Sequence, residues 1–347
     1  MSTANPILVE VTRGQTQDGA LAESRHRGAA AVVNSVGDVV HAWGDIDALV
    51  YPRSTLKPVQ ALPLLETGAA DHFGIGTHEI ALACASHNSE PVHVARVRAW
   101  LDRIGLGVDD LECGPSGGGT CESISLEVTK AMSRAGETFT RAHNNCSGKH
   151  TGFLTTALHM GEPTRGYIER DHPVQRRVTD ALEEMSGETL DYAPCSSDGC
   201  GIPVFAFPLV GLARAMARMT SDRLGRTRGD GVKRVLDAMT AHPDMVAGAK
   251  RFDTRIMQAC KGAVLTKVGA EGVHTAIVPG KGLGVALKID DGATRASELA
   301  MGCILDGLGA LDDVARATIA DLIEAPIRTT LGERVGEVRR GVDLKFD

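Results

Sequence analysis

Aromatic residues are scarce in this chain. They make up 3% of its 347 residues, with two tryptophans and three tyrosines. Proteins that bind single-stranded nucleic acid stack bases on aromatic rings, so that class is disfavoured. Positive charge is short as well: 37 Lys and Arg against 44 Asp and Glu leave a net charge of -7, the wrong sign for a phosphate backbone. No nucleic-acid partner is expected. Nor does any run approach the roughly 20 apolar residues of a membrane span. Met1 to Pro6 holds no basic stretch leading into an apolar one, which reads as no secretory signal and a cytoplasmic location. There is no CxxC pair among the eight cysteines, and the closest two, Cys195 and Cys200, stand five apart, which is not a standard zinc spacing. In a long chain without an export signal these are expected as free thiols or metal ligands, not disulfides. Cys84, Cys113, Cys121, Cys260 and Cys303 read as structural.

What is present is the balance of an ordinary globular protein, 43% hydrophobic and 23% charged, long enough for a sizeable core. Short apolar stretches at Ile7 to Thr12, Ala29 to Val33 and Val39 to Trp43 predict strands, the last two around a turn at Val36-Gly37-Asp38. From Ser54 to about Met239 the periodicity turns helical. Thr77 is placed to cap a helix through Cys84. Ser89 and Pro91 open another, with Val94, Val97, Trp100, Leu101 and Ile104 on one face and Gly105 as its stop. Asp171 and Pro173 open a third, running to Gly187. Strands return at Ala263 to Val268, Val273 to Val278, Leu283 to Ile289 and Val335 to Val338, with helices near Arg295 to Leu308 and Asp312 to Leu322. The expected architecture is α/β (α+β): one antiparallel sheet built from both chain ends, about 1–53 and 245–347, with a mainly helical subdomain at about 54–244. Gly114 to Thr120 reads as a mobile loop.

Three short motifs invite chemistry. Ser54-Thr55-Leu56-Lys57 is followed at once by Pro58, which suits only a helix's first turn. A helix should start near Thr55, with Ser54 at its mouth and Lys57 three residues on, on the same face. A lysine can activate a serine by accepting its proton. A lysine with the reference pKa of about 10.4 would need about 4.6 kcal/mol to do so near pH 7, so burial or a second cation must help. Free N–H groups at the helix start could hold an oxyanion. Ser86-His87-Asn88 follows a run of small apolar residues. Lys267-Val268-Gly269 falls in a predicted strand, where glycine would let a substrate approach the backbone. In this order the three resemble the trio of the serine β-lactamase and penicillin-binding-protein fold, with Val268 in place of its usual hydroxyl residue. A fourth constellation, His143 to His150 with Asp198-Gly199-Cys200, offers plausible zinc groups; buried free thiols are the other reading.

Longer blocks carry a family resemblance. They include Pro6 to Val11, Glu23 to Gly28, Pro52-Arg53-Ser54-Thr55-Leu56-Lys57-Pro58-Val59-Gln60, Cys84 to His87, His143 to His150, Asp198 to Pro203, Lys267 to Gly272 and Gly284 to Ile289. The chain resembles the L-asparaginase II family of the Rhizobium etli inducible type over nearly its whole length, as a single domain. The resemblance implies a serine β-lactamase-like fold and hydrolysis of the side-chain amide of L-asparagine. It implies two Ser–Lys tandems, Ser54 with Lys57 and Ser86 with Lys267, although Lys281 and Lys288 are alternatives for the last. It also implies a supporting zinc ion held by Cys146, Lys149 and Cys200, with Asp198 and His150 nearby as substrate-side groups, and a homodimer. Arg53 is a candidate partner for the substrate α-carboxylate and the Ala270 N–H a candidate oxyanion donor. The stretch Gly114 to Ser125 departs from the family and bears on substrate range. Competing readings are the same chemistry on glutamine, a peptide amide or a β-lactam, a non-catalytic zinc protein, and a hydrolase using zinc-bound water.

Overall fold

The computed structural model describes residues 4–16, 19–115 and 124–346. Most of the Gly114 to Ser125 stretch, with Cys121, lies outside them. The chain forms two compact units: residues 1–55, 207–221 and 255–347 in one, 56–206 and 222–254 in the other.

The first unit is built on an eight-stranded antiparallel sheet. Along it run Ala325–Arg328, Arg334–Arg340, Ile7–Thr16, Gly19–Asn34, Leu283–Ile289, Val273–Val278 and Leu265–Val268, and Val39–Trp43 also pairs with Gly19–Asn34. Both chain ends thus meet in one sheet, the class the sequence predicts. The strand Gly19–Asn34 is longer than its apolar pattern indicates. Its second half, Ala29 to Val33, is buried. Its first half pairs with Ile7–Thr16, for example Glu10 with Arg25, but carries polar side chains that hide the extended period. Backbone pairing, with the cross-strand ion pairs Arg13–Glu23 and Arg25–Glu10, keeps it a strand.

The helix Leu209–Arg218 was expected within the helical stretch and belongs to the sheet unit, packed on Leu283–Ile289 and Gly19–Asn34. Gly284 explains the fit: a Cβ there would lie 2.1 Å from Ala217 N and 2.4 Å from Ala213 O. Only glycine lets helix and strand backbones come so close. The helix Thr294–Gly307 also packs on the sheet.

The second unit centres on the helix Ser147–Met160, whose first eleven residues are all buried. Its interior threonines are satisfied within the helix: Thr151 Oγ1 donates to Ser147 O at 2.8 Å and Thr155 Oγ1 to Thr151 O at 2.7 Å. Around it stand Ala69–His72, Thr77–Ala83, Pro91–Arg103 and Pro173–Ser186. Thr77 is not the cap of its helix. Gly76 is, because the Glu79 carboxylate reaches back to accept the Gly76 N–H at 3.1 Å. Among the described residues no helix is long and apolar enough to cross a membrane.

Candidate active site

The division between units falls inside the first motif, with Ser54 in the sheet unit and Lys57 in the helical one. In the sheet unit Ser54 is half-buried in the 3-10 turn Arg53–Leu56. Arg53 before it adopts φ +51°, a left-handed conformation that is costly for a side chain with a Cβ. The turn is tied by Thr55, whose Oγ1 donates to Pro52 O at 2.6 Å. Sequence reasoning reserves the space over Gly269 for a substrate. The structure corrects this: the Pro52 to Thr55 segment fills it, since a Cβ at Gly269 would lie 3.0 Å from Thr55 Cγ2 and 3.1 Å from Pro52 O. Gly269 therefore docks the Lys267 strand against the Ser54 turn. Lys267 is 1% exposed, its Nζ donating to Val268 O at 2.8 Å. Of its two alternatives, Lys281 is exposed and Lys288 half-buried. Ala270 is exposed at the turn after the strand.

In the helical unit Lys57 is completely buried. Its Nζ donates to Ser86 Oγ at 2.9 Å and also to the Ala85 carbonyl. The hydrogen bond seen from Lys57 to a motif serine is thus to Ser86, where the sequence spacing pairs this lysine with Ser54. The tertiary fold brings the Ser86 segment over, clamped on both sides: Ser86 N–H donates to Val246 O at 2.9 Å, and His87 N–H to Asn145 O at 3.3 Å. His87 is held as a neutral ring. Ser147 Oγ donates to Ala142 O, so it accepts from His87 Nε2 at 2.9 Å, while His87 Nδ1 accepts the Ser89 N–H. Burial, and then the neighbouring His93, push His87 well below the ordinary histidine value. Gly148 is what lets this helix start come close: a Cβ there would lie 2.3 Å from Leu82 O.

One turn further, Cys146, Lys149 and Cys200 converge, all buried. Cys200 sits at the tip of the hairpin Cys195–Ser197 with Pro203–Phe205, in a tight turn where Gly201 takes φ +95°. Lys149 Nζ lies 3.2 Å from Cys200 Sγ. A hydrogen bond from Cys146, with help from Lys149, brings the Cys200 thiol down to about 6 against its burial. The same bond and burial push Cys146 up. Burial works to lower Lys149, but Cys146, Cys200 and the half-buried Asp198 outweigh it and raise it. Cys113, read as structural, interacts electrostatically with both thiols. Two sulfurs and an amine suit a zinc ion. Among the described residues no three His, Cys, Asp or Glu groups gather to hold a metal, so an ion here would need the lysine. His150 is wholly buried beside Lys149, and burial and that ammonium bring its pKa down to about 3. Tyr167, Gly148 and Cys113 are the participants that sequence reasoning missed; only Gly148 left a signal, as a glycine in the first turn of a helix.

Within the helical unit, then, Ser86 is bonded to the buried Lys57, and Lys149 stands against Cys200. The chain belongs to the L-asparaginase II family, whose model matches residues 9–340. No curated protein sequence matches it. Among solved structures it is similar to a β-lactamase from Mycobacterium bovis, at 15% identity over 85% of this chain and 95% of that one with a TM-score of 0.35. It is also similar to a protein named Mglu, at 14% identity over 86% and 71% with a TM-score of 0.43.

Proposed function

We propose that this protein hydrolyses L-asparagine to L-aspartate and ammonia through an acyl-enzyme on Ser54. Membership of the L-asparaginase II family carries this reading. It is supported by the strained Arg53 beside Ser54 and by two fully buried motif lysines. Ser54 Oγ bonds to the side-chain amide carbon as its proton passes to Lys57. The oxyanion is held by backbone N–H groups at Ser54 and Ala270. The carbon–nitrogen bond then breaks and ammonia leaves with a proton delivered through Ser86 and Lys267. Water cleaves the aspartyl ester and returns Ser54. Arg53 pairs with the α-carboxylate, and His150 and Asp198 contact the substrate.

Cys146, Lys149 and Cys200 would hold a zinc ion, as two thiolates and a neutral amine. Its chemistry there is to fix the start of the Ser147–Met160 helix and the Cys200 turn by charge and coordination. The assembled form in this reading is a homodimer acting on a small-molecule substrate in the cytoplasm. The test is ammonia release from L-asparagine and, separately, L-glutamine, by wild type and Ser54→Ala. Release from asparagine by wild type alone is expected. Near-normal turnover by Ser54→Ala would remove the nucleophile from this account. Release from glutamine only would change the substrate.

A further inference from the structure

Tyr167 and His150 are both fully buried, and Tyr167 Oη lies 2.8 Å from His150 Nδ1. The same phenol oxygen accepts the Glu112 backbone N–H at 2.8 Å. His150 Nε2 is a buried atom with no hydrogen-bond partner among the described residues. These three facts decide where the imidazole proton sits. A phenol has one hydrogen to give, and a neutral imidazole has one N–H and one lone pair. Suppose Nδ1 carries the proton and donates to the phenol. The phenol hydrogen then has no acceptor, and neither has the Nε2 lone pair a donor: two orphans. Suppose instead that Nδ1 is bare. The phenol donates to it, and only the Nε2–H is left over. Buried polar groups without partners are costly and rare, so the arrangement with one orphan prevails.

We infer that Tyr167 is a positioning residue that holds His150 as its Nε2–H tautomer, leaving a buried N–H to bind a carboxylate oxygen of an amino-acid ligand. The ligand class follows from the donor: the buried Nε2–H meets no acceptor among the described residues, and an amino-acid ligand brings carboxylate oxygens that accept. Naming an amino acid rests on the asparaginase reading; the tautomer does not.

The experiment uses full-length protein labelled with nitrogen-15 in its histidines. Long-range proton–nitrogen spectra are recorded with and without zinc, and His150 is assigned by the signals lost in His150→Gln. The expected spectrum has a bare Nδ1 and a protonated Nε2 in both states, and Tyr167→Phe mixes the two tautomers. A protonated Nδ1 in wild type overturns the inference without recourse to any variant, and so does a tautomer unmoved in Tyr167→Phe. Titration with L-aspartate tests the ligand. A glutamine amide can stand where Nε2–H stands, whereas an asparagine amide reaches only the Nδ1 position. His150→Gln should therefore keep the affinity for L-aspartate within about threefold, and His150→Asn should lose about tenfold or more. Equal losses, or no binding to wild type, overturn the carboxylate assignment. Ammonia release is a separate measurement, so failure of the asparaginase reading would be recognised independently.

Discussion

Replacing Lys57 by methionine separates catalysis from stability. The side chain is completely buried, and its Nζ donates to Ser86 Oγ at 2.9 Å and to the Ala85 carbonyl. Methionine keeps the length and removes the nitrogen. The Ala85 carbonyl loses its donor, at about 1–3 kcal/mol, and the bond to Ser86 goes with it, at about 0.5–1.5 kcal/mol, or roughly 2–4 kcal/mol together. Against that, the folded state no longer buries a polar side-chain nitrogen, which relieves about 1–3 kcal/mol. The two effects offset, and the expected net change is within about 2 kcal/mol of zero. At about 2–4 °C per kcal/mol for a large domain, Tm should move by a few degrees in either direction. Activity has no such compensation. A positioned proton acceptor is worth about 10²–10⁴ in rate, so kcat for L-asparagine should fall by at least a hundredfold. Calorimetry and an enzyme-coupled ammonia assay on the same preparation read both quantities. A kcat within tenfold of wild type would refute the proton-transfer role. A variant that never folds would refute the offset, and with it the view that this lysine is retained for chemistry and not for the core.

Three further outcomes are expected. Arg53→Gly relieves the left-handed backbone at φ +51°, worth about 1–2 kcal/mol per such residue, against the entropy of an added glycine. Stability should therefore hold within about 1 kcal/mol while KM for asparagine rises more than tenfold; an unchanged KM would free Arg53 from carboxylate binding. His87 and His150 are both held neutral by burial, below the ordinary 6.5 and in the second case down to about 3. Their contribution is fully present above pH 6.5. It declines as the pH falls below that, where the unfolded chain takes up protons the folded one refuses, by about 1.4 kcal/mol per pH unit for each histidine. Denaturant melts at pH 7, 6 and 5 should trace that slope, and a flat line would contradict it. Without metal, Cys146 and Lys149 are pushed towards their protonated forms, so zinc must displace both protons. Affinity should rise with pH, approaching a hundredfold per unit, and calorimetry in buffers of different ionisation enthalpy should count the protons released. A pH-independent affinity would exclude this ligand set.

The strands Val273–Val278 and Leu283–Ile289 were legible to the residue, and Val39–Trp43 likewise. Each is short, apolar and bounded by glycine or polar turns, so local composition suffices. The helix Pro91–Arg103 was nearly so, because Pro91 and Gly105 punctuate an apolar stripe. The first half of Gly19–Asn34 and the strand Ala325–Arg328 escaped, since their side chains are largely polar or half-buried. The period of two fades where neither face is fully buried. The predicted helix Asp312 to Leu322 is broken into Asp313–Thr318 and Ala320–Ile323, a difference for which the local sequence carries no breaker. Lys57 was legible as a reactive lysine from its spacing to Ser54, but its hydrogen bond to Ser86, 29 residues on, was not, because helix spacing reports only near neighbours.

What the sequence by itself determined is the inventory: serines followed by lysines, a cysteine and lysine one helix turn apart, and glycines at the points of close approach. These are covalent and local facts, and neighbours in the chain stay neighbours in any fold. Tertiary structure alone decided the rest. Val246 and Asn145 clamp the Ser86 segment where Lys57 can reach it. A hairpin turn carries Cys200 to Lys149 across 51 residues. Pro52 to Thr55 occupy the space over Gly269, and a tyrosine with no motif of its own sets the proton on His150. The physical reason is common to all of these. A buried polar group must find its partner wherever packing delivers one, and packing depends on the shape of the whole chain.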